Sequence, residues 1–135
     1  MRTMLEHTPF HQIRRLIQAH TAMWHKHLPD MTKPQFSLLI AIEENDGVEQ
    51  SLLKEPAVVT KATLTDLIRR LEARQLIYRV KDEMDRRKSY VHLTHEGNRA
   101  LDEAKPVARY IDQLFLDKLS KQEQEQLNNL LGRLI

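Results

Sequence analysis

Hydrophobic residues recur at helical spacing through most of this 135-residue chain and abandon that period between residues 77 and 93. There Ser89, Val91 and Leu93 alternate with Tyr90 and His92, the period of two expected of a half-buried strand. A second strand is expected over Ile77–Lys81. Between the two lies DEMDRRK (82–88), so Asp85, Arg86, Arg87 and Lys88 should sit on the exposed turn of a hairpin. One charged hairpin in an otherwise helical chain leaves few folds open.

The flanking segments read as helices. Phe10, Ile13, Leu16, Ile17, Met23 and Trp24 recur at spacings of three and four, predicting a helix from Pro9 to His27 that Leu28-Pro29-Asp30 ends. TKPQ (32–35) is a capping box, with Thr32 and Gln35 exchanging hydrogen bonds and Pro34 in the first turn, where no N–H is missed. The helix it opens, Phe36 to Glu44, is apolar on most sides and should be buried. Asn45-Asp46-Gly47 is a turn, followed by a short helix over 49–54 that Pro56 should stop. From Thr60, KATLTDLIRRLEAR carries one apolar stripe, Leu64, Leu67, Ile68 and Leu71, with Lys61, Thr63, Thr65, Asp66, Arg69 and Arg70 off it. After the hairpin, Thr94 caps a long helix from His95 to Lys118, and Ser120 with Glu123 forms a second capping box before a last helix bearing Leu127, Leu130, Leu131 and Leu134.

The expected fold is mainly α with a small β-hairpin wing. Residues 32–94 form a winged helix-turn-helix, while 1–31 and 95–135 form terminal helices whose apolar faces exceed what that unit can cover. Those helices are expected to pair with a second copy, making one 135-residue domain a homodimer. A monomeric helical bundle with an incidental hairpin also accommodates the pattern.

Charge narrows the function. Net charge is only +2, but residues 61–92 hold nine Lys/Arg against five Asp/Glu, while the rest of the chain holds twelve against fourteen. A basic middle between mildly acidic ends suits a polyanion, although a stripe of this size also serves as a solvated face. No cysteine is present, which excludes disulfides, thiolate zinc sites and thiol redox sensing. No apolar run suits a signal peptide or approaches a membrane span, so a cytoplasmic location is expected. Three glycines leave no phosphate-cradling loop and there is no GxSxG elbow, so catalysis is not expected. His7 and His11, then His20, His25 and His27, invite a metal reading, but neither HExxH nor matching carboxylates accompany them, and no metal is expected.

Four motifs in register, TKPQFSLL (32–39), KATLTDLIRRLEARQLIYR (61–79), DRR (85–87) and VHLTHEG (91–97), resemble the multiple antibiotic resistance regulator (MarR) family of bacterial winged-helix repressors, and KLSKQEQEQLNNLLGRL is similar to its closing segment. The resemblance covers nearly the whole chain. It departs at Gln75, where the family has a glycine in a left-handed helix cap, and at QSLLKEP, which lacks the usual small residue and carries Pro56.

The resemblance implies a transcriptional regulator that binds double-stranded DNA, a repressor acting as a homodimer on a near-palindromic operator. Lys61, Thr63 and Thr65 would read bases in the major groove, with Arg69 and Arg70 further along for phosphates or base edges. Arg87 would enter the minor groove, oriented by Asp85, with Arg86 and Lys88 on phosphates. Effectors of the family resemble aromatic carboxylates and phenols. Here Phe10, His11, Arg14, Arg15 and Trp24 offer aromatic walls and a carboxylate partner, though Phe10 and Trp24 also suit a dimer core. Two other functions remain compatible: an architectural DNA binder without effector, and a protein-interaction module on the same scaffold.

Overall fold

The computed structural model describes residues 4–135. A single 3-10 turn at Met4–His7 leads into α1 (Pro9–His27), and α2 (Lys33–Glu44) follows across Leu28–Thr32. The Thr32–Gln35 capping box forms as expected, with Gln35 N donating to Thr32 Oγ1 at 3.2 Å and Thr32 N to Gln35 Oε1 at 3.0 Å. It starts α2 at Lys33, three residues before Phe36, because Pro34 falls where helical N–H groups have no partner.

After α2 the structure departs from the sequence reading in two places. Gly47, at φ +80°, turns the chain so that its N–H donates to Val91 O at 3.0 Å. Val48–Glu49 thereby becomes a strand, β1, and the expected two-stranded hairpin is a three-stranded sheet. Two residues are too few to show a period. Second, Pro56 does not stop the short helix: a 3-10 turn at Gln50–Leu53 passes directly into α3 (Lys54–Ala57), with Pro56 inside it. In so short a helix every residue belongs to the first turn, where the missing N–H costs nothing. The chain leaves through Val58, in the left-handed conformation at φ 56°.

α4 (Lys61–Ala73) begins under Thr60, whose hydroxyl accepts from Thr63 N at 3.3 Å. It ends in the paired bonds of a Schellman cap, Gln75 N to Glu72 O at 2.9 Å and Leu76 N to Leu71 O at 3.0 Å. Gln75 adopts φ 61°, so the left-handed cap survives without its glycine. β2 (Ile77–Lys81) and β3 (Ser89–Leu93) pair antiparallel from Ile77↔Leu93 to Lys81↔Ser89, and β1 joins the other edge of β3 at Val48↔Val91. The sheet order is therefore β1-β3-β2.

α5 (His95–Leu116) and α6 (Lys121–Arg133) complete the chain. α5 closes two residues before Lys118, and Ser120–Glu123 caps α6 as expected. One core joins the sheet to α2, α3, α4 and the start of α5 through Leu38, Leu39, Ile42, Ile68, Leu71, Val91 and Leu101, each fully buried. A smaller cluster of Trp24, Ala108 and Ile111 fastens α1 to α5. Trp24 is 4% exposed, its ring lies edge-on to Phe36 and its Nε1–H donates to Met31 O at 2.6 Å. No residue of α6 is buried, and Leu130 and Leu134 stand more than half exposed.

Candidate nucleic-acid interface

The stripe Leu64, Leu67, Ile68 and Leu71 is buried and seats α4 against the core. Lys61, Thr63, Thr65, Arg69 and Arg70 are all exposed on its solvent side. Asp66 is not a bystander on that side. Its Oδ1 accepts from Arg69 Nη2 at 3.1 Å and its Oδ2 from Arg70 Nε at 2.8 Å. Thr65 is partly committed, donating to Lys61 O at 3.1 Å.

The wing tip is built by two carboxylates. Asp82 Oδ2 accepts from the N–H groups of Met84 (3.0 Å) and Asp85 (2.8 Å), and its Oδ1 accepts from the Tyr90 hydroxyl at 2.8 Å. The Asp85 N–H foremost, then the Tyr90 hydroxyl, hold the Asp82 carboxyl below its ordinary value, and the same contact raises Tyr90. Asp85 repeats the device one step outward. Its Oδ1 accepts from Arg87 N (3.0 Å) and Nε (3.1 Å), and Oδ2 from Arg87 Nη2 at 3.4 Å. The Arg87 side chain holds Asp85 below the ordinary carboxylate range. The Arg87 side chain remains 91% exposed, held by Asp85 along its Nε–Nη2 edge.

Asp85 and Arg87 are therefore joined as the sequence reading expects, while Asp82 and Tyr90 escaped it. Their signal is readable in retrospect: an Asp followed two and three residues on by unpaired turn N–H groups is the setting of an Asx turn. A tyrosine eight residues later, on the outer face of the paired strand, closes it.

Between wing and helix runs a cleft of about 530 Å³. It gathers Lys61 and Thr65 of α4 with Arg86, Arg87 and Lys88 of the wing tip, and adds Lys54, Arg79 and Lys81, which the sequence reading assigned no role. Seven cations line it against one carboxylate, Glu49. The alternation of β2 buries Ile77 and turns Arg79 and Lys81 to the same side, so the excess charge converges on one groove. Arg79 also ties the groove together, reaching Glu72 Oε1 of α4 at 2.8 Å and Gln50 Oε1 at 3.4 Å. Thr63, Arg69 and Arg70 do not line the cleft but lie on the adjoining solvent face of α4.

The five effector candidates are not brought together within one subunit. Phe10 is 68% exposed and Arg14 and Arg15 are exposed, whereas Trp24 is enclosed. Fourteen residues of helix put Phe10 and Trp24 about 21 Å apart. His11 is half-buried near the start of α1. A histidine that the sequence reading gave no effector role, His20, lies at the α1–α5 junction. Its Nε2 meets Asp112 Oδ1 at 2.7 Å, its ring centroid is 5.4 Å from that of Phe115, and its buried Nδ1 has no partner. Burial lowers the nearby Lys33, with Asp112 opposing the shift. Among the described residues no three His, Asp or Glu side chains converge in a metal-binding group, and no helix is long and apolar enough to cross a membrane.

A three-stranded wing beside an exposed helix, with a cationic groove between them, is the architecture of a winged-helix DNA-binding regulator. Comparison with known proteins is specific. The MarR family model matches residues 31–89, and the transcriptional regulator HosA of Escherichia coli is 44% identical over 131 residues, 97% of each chain. The PcaV transcriptional regulator from Streptomyces coelicolor, solved with its natural ligand, superposes with a TM-score of 0.92 at 30% identity, covering 99% of this chain and 96% of that one. BpsR of Bordetella bronchiseptica, whose DNA binding is regulated by 6-hydroxynicotinic acid, gives a TM-score of 0.86 at 31% identity over 92% and 96% of the two chains. This chain belongs to the MarR family of transcriptional regulators.

Proposed function

We propose that the protein is a ligand-responsive repressor that binds a near-palindromic operator as a homodimer. The observation that carries this reading is the cleft that unites the N-terminal part of α4 with the wing tip under a large positive excess. Each subunit seats the solvent face of α4 in a major groove, where Lys61, Thr63 and Thr65 meet base edges and Arg69 and Arg70 lie further along. Arg87, held by Asp85, enters the adjoining minor groove; Arg86, Lys88, Lys54 and Lys81 neutralise phosphates. Exposed apolar residues at both chain ends, Leu5, Phe10, Ile17, Leu130 and Leu134, support pairing through the terminal helices.

A small hydroxylated aromatic acid is the effector class proposed, by analogy with BpsR and its 6-hydroxynicotinic acid. Such a ligand releases DNA only if it binds one spacing of the two reading heads better than the other.

Fluorescence anisotropy with the duplex upstream of the protein's own gene, beside a scrambled duplex, tests the reading. Preference for the native duplex at near-physiological salt is expected, lost on adding the effector. Equal and salt-labile binding to both would leave an architectural DNA binder. No binding to either would leave a protein-interaction module.

Tyr90→Phe is a milder probe in the same assay. Loss of the hydroxyl that braces Asp82 is expected to weaken native-duplex binding about threefold to fivefold, since one hydrogen bond contributes about 1 kcal/mol. An unchanged affinity would show that the wing tip holds its shape without it.

A further inference from the structure

At 100° per residue the buried stripe of α4 centres near Leu64 and Leu71, and the opposite, outermost line of the helix runs through Ala62 and Ala73, with Asp66 and Arg69 about 30° to either side of it. Asp66 is the one acid on that outward face. Arg69 and Arg70 flank it on either side, one bound to each carboxylate oxygen. An acid on the face that enters a groove of a polyanion is unfavourable unless it is neutralised and rewarded. The two guanidiniums supply the neutralisation. Each carboxylate oxygen retains acceptor capacity, and the side chain is 44% exposed, so both can still meet a donor.

We propose that Asp66 is a specificity-determining residue, accepting the N4 amino group of a cytosine at the centre of each operator half-site while Arg69 and Arg70 hold it in place. The inference rests on the DNA-binding reading above. Cytosine N4 is a major-groove donor that carboxylates suit; adenine offers its N6 donor only beside the N7 acceptor, and guanine O6 and N7 and thymine O4 present only acceptors, which a carboxylate repels. Where guanine or thymine stands at that position the carboxylate meets acceptors and opposes binding. Asp66 thus acts twice, by attraction at cytosine and by repulsion at acceptor-only edges.

The test is selection from a random duplex pool with the full-length protein, at about 0.15 M salt, run in parallel on wild type, Asp66→Ala and Asp66→Asn. Wild type is expected to enrich a half-site with cytosine fixed at one position. Asp66→Ala should lose information at that position alone and bind a scrambled duplex about tenfold more tightly, the change a single mismatched contact typically makes. Asp66→Asn should move the preference toward adenine, whose N6 and N7 suit a carboxamide. The lost ion pairs are exposed and contribute little to folding, so urea midpoints should hold. A wild-type site with no fixed cytosine, or the same cytosine retained by both variants, overturns the role of Asp66 and leaves the regulator reading intact. A wild type that enriches no sequence overturns both.

Discussion

Gly97→Ala is expected to destabilise the protein by about 3 kcal/mol, read as a lower urea midpoint with an unchanged slope. Alanine inside a helix is normally about 1 kcal/mol better than glycine, so the predicted sign is the reverse of the usual one. The reason is local. A Cβ on Gly97 would stand 2.0 Å from Leu76 O and 2.9 Å from Leu76 C, and these are backbone atoms that cannot rotate away. Nor can the strand entry shift: Leu76 O accepts from Thr94 N at 3.0 Å, Gln75 O accepts from Thr94 Oγ1 at 2.6 Å, and Leu76 N is spent on the cap of α4. Gly97 N completes the knot by donating to Thr94 Oγ1 at 2.9 Å. This junction joins the end of α4, the root of the wing and the start of α5, so strain there loosens the groove as well as the fold. Gly132→Ala is the control. Nothing lies within 4 Å of its added Cβ, and stability should be equal or higher by up to about 1 kcal/mol. Equal behaviour of the two variants would refute the close-contact account.

Arg87→Ala is expected to weaken operator binding by about 1–3 kcal/mol, roughly fivefold to 150-fold, with no change in the urea midpoint. The guanidinium is 91% exposed, so its removal leaves no cavity. What goes is a cation delivered in a set direction, because Asp85 fixes its base through Nε, Nη2 and the Arg87 backbone N–H. Asp85→Ala should reproduce part of the loss while keeping the arginine, the mark of orientation rather than charge alone. Arg87→Lys restores the charge but not the planar fork and should recover only part of the affinity. A folded Arg87→Ala protein with wild-type affinity would remove the wing from the interface.

Much of this molecule was legible in advance wherever a chemical device is local. The capping boxes at Thr32 and Ser120 formed as read, because each satisfies backbone groups within one helical turn. The α4 stripe and the β2 and β3 boundaries came from periodicity, and Asp85 met Arg87 because only one residue separates them. The failures share a cause. β1 is a strand only because β3 lies beside it, and Pro56 is harmless only because α3 is too short to miss an N–H. Trp24 lies on an amphipathic stripe like any surface anchor, yet α5 of its own chain covers it.

Sequence by itself determined the helix order, the hairpin, the charged turn and the family, since these rest on spacing, capping and motifs in register. Only the tertiary structure decided which charges act together. Lys54, Arg79 and Lys81 join Lys61 and Arg87 in one groove. Attraction for a polyanion depends on distances between charges, and residues far apart along the chain acquire those distances only when strand pairing and helix packing bring them to one face.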